Sequence, residues 1–232
     1  MMNIAIILSG GTGTRMKLSR PKQYLEVQDK PIIGYSLDLF ERSEKIDGIV
    51  VVCHNDWKDF VQEYAKEQGI SKLFAFAESG ETRQESLYSG LKACEGVAEK
   101  NSVVLIHDAA RPNLTEDLID RLLELDGYDG AMPVIGVKDT VYYSEDGSEI
   151  SSLLNRDKLF AGQAPESFAF DKYFAIHNEV PVEELKKTRG SSEIAFRHGL
   201  KIKLVDGDEN NYKITTASDL EKFEAQKAEI KK

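Results

Sequence analysis

The chain has little of what builds a disulfide scaffold, a membrane span or a nucleic-acid surface. Only 2 of its 232 residues are cysteine. Cys53 sits in an apolar run and Cys94 in a helical pattern, so the spacing offers neither a disulfide framework nor a metal-ligand cluster. Both read as core thiols of a reducing compartment. Positive charge is in deficit, with a formal net charge of −10, which argues against a general nucleic-acid binder and requires any phosphate contacts to be local. No segment approaches the ~20 apolar residues of a membrane helix. Met1-Met2-Asn3 carries no positive charge and Ile4–Leu8 is too short for a signal sequence, so the expected location is cytoplasmic. There are 6 prolines and no Pro/Ser linker, repeat or low-complexity tract, which leaves nothing to mark a second domain. Residues 1–232 are read as one domain.

Against that background stands one dense segment, Leu8-Ser9-Gly10-Gly11-Thr12-Gly13-Thr14-Arg15-Met16, followed by Pro21-Lys22-Gln23. It comes directly after the apolar run Ile4–Leu8. Three glycines at the carboxyl end of a strand let the backbone turn and approach a ligand closely. Exposed N–H groups in such a turn form an anion-binding concavity, and Arg15 and Lys22 add cationic side chains suited to a polyphosphate. The spacing matches neither G-x-x-x-x-G-K-[ST] nor G-x-G-x-x-G. A dinucleotide-dependent reductase is therefore disfavoured, and no ribose-binding acid follows at the right distance.

Apolar runs alternate with helical patterns. Strands are expected at Ile4–Leu8, Gly48–Cys53, Leu73–Ala77, Val103–Ile106, Ala131–Val137 and Leu200–Val205, with a short extended run at Tyr212–Thr215. Helices are expected at Ile32–Glu44, Trp57–Gln68, Arg83–Ala93, Glu116–Leu125 and from about Ala217, the last capped by Thr216 or Ser218. This alternation implies an α/β fold with a doubly wound, mostly parallel sheet, whose ligands bind beyond the carboxyl ends of the strands. Residues 138–155 break the rhythm and read as a protruding β-hairpin turning at Gly147.

Other candidates lie on the same sheet edge. Asp108, in His107-Asp108-Ala109-Ala110-Arg111-Pro112, is placed to hold Mg²⁺, which takes one or two carboxylates plus phosphate oxygens and water. Arg111 would bind phosphate or carboxylate. The same residues also read as a structural Asp–Arg pair or an Asx-turn. Gly80–Ser86 reads either as a helix start capped by Thr82 or as a base-reading loop completed by the Ser86 hydroxyl. Lys213 reads as a solvated edge residue or as a cation beside a triphosphate.

Taken in order, Gly10–Met16 with Pro21-Lys22-Gln23, Gly80–Ser86, His107–Pro112, Lys138-Asp139-Thr140 and Lys213-Ile214-Thr215 resemble the cytidylyltransferases that activate polyol phosphates. These include the 2-C-methyl-D-erythritol 4-phosphate type and the ribitol 5-phosphate type. The resemblance implies a Rossmann-like nucleotidyltransferase fold and transfer of the cytidylyl group of CTP to a polyol phosphate, with release of pyrophosphate. It implies that Leu8, Ser9, Gly10, Gly11, Gly13, Gly80, Glu81 and Ser86 bind CTP. Arg15, Lys22 and Lys213 would act on the phosphates, and Asp108 would hold Mg²⁺. Arg111, Thr140, Arg156 and Arg189 would lie on the acceptor side, with Thr140 and Arg156 supplied to a neighbouring subunit by the hairpin of a homodimer. The first expected acceptor is methylerythritol phosphate, with ribitol 5-phosphate or another polyol phosphate second, and a non-catalytic CTP-binding subunit as a remote alternative. Two segments depart from the family pattern. Gln163-Ala164-Pro165-Glu166 replaces Gln-Thr-Pro-Gln, and Arg189-Gly190 replaces a Thr-Asp pair, which changes the acceptor side's hydrogen-bond inventory.

Overall fold

The computed structural model describes residues 2–11, 13 and 20–230. Its strands are β1 (Asn3–Leu8), β2 (Glu26–Val27), β3 (Lys30–Pro31), β4 (Gly48–Cys53), β5 (Leu73–Glu78), β6 (Val103–Asp108), β7 (Gly130–Gly136), β8 (Val141–Tyr143), β9 (Ser152–Leu154), β10 (Phe160–Gly162), β11 (Glu166–Ala169) and β12 (Ile202–Asp206). The helices are α1 (Ile32–Arg42), α2 (Asn55–Glu67), α3 (Arg83–Ala93), α4 (Glu116–Leu123), α5 (Phe170–Glu179), α6 (Val182–Lys187), α7 (Ser191–Arg197) and α8 (Ala217–Ile230).

The main sheet runs β10-β7-β11-β6-β1-β4-β5, with β12 paired to β7. Strands β6, β1, β4 and β5 are mutually parallel. β11 enters antiparallel between β6 and β7. β1 pairs with β4 on one side and β6 on the other, which makes it the topological switch point, where open α/β sheets bind ligands.

Both faces of the central strands are apolar, and alternation sends successive residues to opposite layers. Ala5, Ile7, Ile49, Val51, Val103 and Leu105 pack with α1, α2 and α4 residues such as Leu37, Val61 and Leu118. Ile4, Ile6, Val50, Val52, Val104 and Ile106 pack with Leu87 and Leu91 of α3 and Tyr173 of α5. The two layers confirm the doubly wound reading. Cys53 and Cys94 are buried free thiols, and burial pushes them up to about 11 and about 12, so both are protonated and inert at neutral pH.

The hairpin is formed by β8 and β9, antiparallel, with Gly147 at φ 78° between them. Tyr212–Thr215 is not a strand. Its Ile214 N–H donates to the Ala110 carbonyl, and the Ile214 side chain packs with Val27, Ile32 and Phe223. An anchor to one carbonyl and a small apolar cluster replaces a ladder. Thr216 caps α8 by accepting from the Asp219 N–H, while Asp219 accepts in return from Thr215 and Thr216. Among the described residues no helix is long and apolar enough to cross a membrane.

Candidate active site

Register places the glycine segment beside the candidate carboxylate. Leu8 at the end of β1 is opposite Asp108 at the end of β6 and Val52 near the end of β4. The carboxyl ends of these strands open into a cleft of about 690 Å³.

The floor of the cleft is a locked turn. The Gln23 amide donates to the carbonyls of Ser9 (2.6 Å) and Gly11 (2.7 Å), which ties the Pro21-Lys22-Gln23 turn to the glycine segment. Tyr24 is fully buried, its hydroxyl 2.6 Å from Ser9 Oγ and its ring stacked on Trp57 at 4.4 Å. Gly10 permits a close approach, since a Cβ there would stand 2.2 Å from Ser79 Cβ. Gly13 adopts φ 68°, the left-handed region that disfavours a side chain.

The opposite wall is the start of α3. Thr82 and Glu85 form a reciprocal capping box. The Ser86 hydroxyl accepts from the Gly80 N–H (3.0 Å) and donates to the Thr82 carbonyl (2.9 Å), so it holds the Gly80 loop in shape. Glu81 extends to solvent and pairs with Lys186 at 3.4 Å.

At the centre is Asp108. Lys213 Nζ donates to its Oδ2 at 2.8 Å, and Arg83 Nε and Nη2 donate to its Oδ1 at 3.3 and 3.2 Å. Arg111 Nε lies 4.0 Å from Oδ2. Burial works to raise the carboxyl, but Arg83, Lys213 and Arg111 outweigh it and hold Asp108 well below the usual carboxylate range. The site therefore presents more cationic than anionic charge in its resting state, suited to a polyphosphate. Neighbouring His107 is fully buried, with Nε2 3.0 Å from Ser36 Oγ and its ring edge-on to Phe40.

The cleft brings together Leu8, Gly10, Gly11, Gly13, Lys22, Gly80, Glu81, Ser86, Asp108 and Lys213. Ser9 lies beneath it, 2 % exposed, holding Tyr24. Arg111 is not among the lining residues; it approaches Asp108 and its Nη1 donates to the Asn211 carbonyl at 2.6 Å. Thr140 and Arg156 are exposed at the base of the hairpin, outside this cleft, and Arg156 bonds the Lys138 carbonyl. Arg189 is exposed, while the departure at Ala164 is buried and its carbonyl accepts from Asn211. Arg15 falls outside the described residues. Arg83 was not singled out by the sequence reading. Its partners Asp108, Glu166 and Ser191 are distant in sequence and leave no local signal. Gln163, which bonds Asp208 and Asn211 and steadies the loop before Lys213, was missed for the same reason.

The buried histidines make a pH prediction. Desolvation lowers His107 and His177 to about 4, so both are neutral when folded. Unfolded histidine titrates near 6.5. The unfolded chain therefore gains protons first as pH falls. The stability from burying these rings neutral is full above about 6.5 and is lost as pH drops toward about 4. Urea unfolding at pH 5 is expected to show roughly 3–4 kcal/mol less stability than at pH 7, with a flatter dependence in His177→Asn. Equal stability at both pH values contradicts the assignment.

Comparison with known proteins agrees with this architecture. The family model described as IspD, 2-C-methyl-D-erythritol 4-phosphate cytidylyltransferase, matches residues 3–228. A ribitol-5-phosphate cytidylyltransferase of Streptococcus agalactiae serotype V is 36% identical over 227 residues, 97% of this chain and 95% of the relative. A 2-C-methyl-D-erythritol 4-phosphate cytidylyltransferase of Geobacter metallireducens is 37% identical over 227 residues, 97% of each chain. The crystal structure of 4-diphosphocytidyl-2C-methyl-D-erythritol synthase from Anaerococcus prevotii matches with a TM-score of 0.82 at 26% identity, covering 97% of this chain and 95% of that one. With a family match across almost its entire length and a cleft assembled from the expected loops, the chain belongs to the IspD family of cytidylyltransferases.

Proposed function

We propose that this enzyme transfers the cytidylyl group of CTP to a polyol phosphate, with ribitol 5-phosphate as its acceptor. The observation that carries the reading is the convergence of the glycine segment, Lys22, the Gly80 loop, Asp108 and Lys213 on one cleft of about 690 Å³ at the switch point of the sheet. Relatives of both names match at similar identity, 36% and 37%. Ribitol 5-phosphate takes precedence over the methylerythritol phosphate first expected from the sequence because ribitol-5-phosphate cytidylyltransferases such as that of Streptococcus agalactiae match 97% of this chain, while Ala164, Glu166, Arg189 and Gly190 leave the acceptor side unlike the usual family pattern. Methylerythritol phosphate is the second reading, supported by the Geobacter metallireducens relative and by the His107–Pro112 motif.

The chemistry follows from the cleft. The backbone at Gly10, Gly11 and Gly13 cradles the triphosphate, and the Gly80 loop with Glu81 faces the nucleoside. An oxygen of the acceptor phosphate attacks the α-phosphorus, the bond to the bridging oxygen breaks, and pyrophosphate leaves with the electron pair. Lys22 and Lys213 sit where negative charge accumulates in that displacement. An already ionised acceptor needs no general base, so His107 has no proton to take. Asp108 would hold Mg²⁺ through its carboxylate, with phosphate oxygens and water completing the coordination. Among the described residues no group of three or more His, Cys, Asp or Glu forms a self-sufficient metal cage. When bound, Mg²⁺ would neutralise phosphate charge.

We read residues 1–232 as one catalytic domain working in the cytoplasm, where CTP is available, and the hairpin as the arm of a homodimer. Tyr142, Tyr143, Ile150, Leu153 and Phe160 on and beside the arm are each about half exposed or more, an apolar surface suited to a second copy. The arm would deliver Thr140 and Arg156 to the partner's acceptor pocket, with Arg111 and Arg189 contributed from the same chain. The double variant Ile150→Asp/Leu153→Asp is expected to sediment as a folded monomer and to raise the acceptor's KM more than that of CTP. A variant that stays dimeric, or a monomeric wild type, contradicts the arm assignment.

The functional reading is tested by pyrophosphate release with CTP and Mg²⁺ across ribitol 5-phosphate, methylerythritol 4-phosphate and glycerol phosphates. The highest kcat/KM is expected for ribitol 5-phosphate. A preference for methylerythritol 4-phosphate moves the enzyme to the second reading, and no release with any acceptor overturns both.

A further inference from the structure

Arg83 is a charged cleft-lining side chain that the transfer chemistry leaves without a task. It opens α3, and its guanidinium is fixed on several sides. Nε and Nη2 meet Asp108 Oδ1 at 3.3 and 3.2 Å, Nη1 donates to Ser191 Oγ at 2.7 Å, and Nη2 lies 4.0 Å from Glu166 Oε1. Glu166 is itself buried and accepts from the Ser192 N–H at 2.8 Å. Gly190, the residue before α7, offers no side-chain cap, so Glu166 reaches across from β11 to serve that helix and to hold Arg83. The other oxygen of Asp108 is met by Lys213 at 2.8 Å, with Arg111 Nε 4.0 Å away. Both oxygens of the one carboxylate that would receive a divalent cation are thus already met by cations of the chain.

We propose that Arg83 is a positioning residue that, together with Lys213, keeps Asp108 closed to a free divalent cation, so that the cation enters only with the triphosphate. This rests on the reading of Asp108 as the metal-binding carboxylate. A divalent ion arriving alone must displace Arg83 or Lys213 from Asp108 and remain beside them, like charge against like charge. Arriving with a triphosphate, it brings anionic oxygens to which Lys213 and Arg83 can turn. Ser191 and Glu166 keep Arg83 at hand when it leaves Asp108, because the fork of a guanidinium can give up one edge and retain the others.

The test is Mn²⁺ binding followed by electron paramagnetic resonance of the free ion, without turnover, using Mn²⁺ alone and Mn²⁺ with the non-reactive analogue α,β-methylene-CTP. Wild type is expected to bind Mn²⁺ alone weakly and to bind it well with the analogue. Arg83→Gln is expected to bind Mn²⁺ alone about tenfold more tightly than wild type, since one competing charge is gone. Arg83→Lys, which keeps the charge but loses the fork, should fall between them and covers the case in which the glutamine variant does not fold. Asp108→Asn should lose Mn²⁺ binding in the presence of the analogue. If both Arg83 variants bind Mn²⁺ alone no more tightly than wild type while Asp108→Asn behaves as stated, the closure by Arg83 is wrong and Asp108 keeps its role. If Asp108→Asn binds Mn²⁺ with the analogue as wild type does, the underlying reading fails and the proposal with it.

Discussion

Lys213→Ala lowers kcat about 10²–10³-fold, with a change of only a few-fold in the KM of CTP, because its charge is needed most when the α-phosphoryl group becomes five-coordinate. Removing one well-placed electrostatic donor in an enclosed site typically costs that much. Lys22→Ala is expected to lose a similar factor, since Lys22 lines the same cleft from the turn locked by Gln23. Circular dichroism should show both variants folded, because both side chains reach the cleft from elements whose cores they do not fill. Steady-state kinetics decides the matter. A Lys213→Ala enzyme within a few-fold of wild-type kcat removes this residue from the mechanism.

Asp108→Ala destabilises the ligand-free protein by about 3 kcal/mol. The carboxylate is the counter-charge for Arg83, Lys213 and Arg111, and without it these cations crowd one another in a poorly hydrated site. The expected cost is at the low end for a broken buried pair because Lys213 is partly exposed and can relax outward. Inorganic tripolyphosphate supplies the missing negative charge and should raise the melting temperature of the variant more than that of wild type. Unchanged stability in Asp108→Ala, or a smaller tripolyphosphate effect than in wild type, shows that the cluster is not held by this carboxylate.

How much of this was legible in the sequence depends on whether the signal is local. Ile4–Leu8, Gly48–Cys53 and Val103–Ile106 are uninterrupted apolar runs, and a strand buried on both faces has that pattern and little else. The glycine segment was readable because close approach and a left-handed φ demand glycine at Gly10 and Gly13. Thr82, a capping residue before Arg83, announced the start of α3, and the structure adds Glu85 as its reciprocal partner. Short elements were not legible. The run Tyr212–Thr215 has the composition of a strand, yet Ile214 is committed to the cluster around Phe223 and its backbone to Ala110. β11 is only Glu166–Ala169 and runs against its neighbours, so no alternation of strand and helix predicted it. The helices α5 and α6 were equally silent, each lacking a side-chain cap.

The site divides in the same way. Asp108 ends a strand and Lys22 lies in a turn, so chain geometry places both. The tasks of Arg83, Gln163 and Glu166 arise only from contacts between residues tens of positions apart. The departures at Ala164 and Arg189 attracted notice in the sequence, but neither side chain lines the cleft. The departure at Glu166 is the one tied to it, through Arg83.

The central claim is that this cleft moves the cytidylyl group itself. The measurement that tests it most directly is the fate of label from CTP carrying ³²P at the α-phosphate, incubated with Mg²⁺ and ribitol 5-phosphate. The label should appear in a CDP-polyol, with one unlabelled pyrophosphate released per transfer and transfer slowed about 10²–10³-fold in Lys213→Ala. Label that stays in CTP with every polyol phosphate offered, or that leaves only as CMP, contradicts the account.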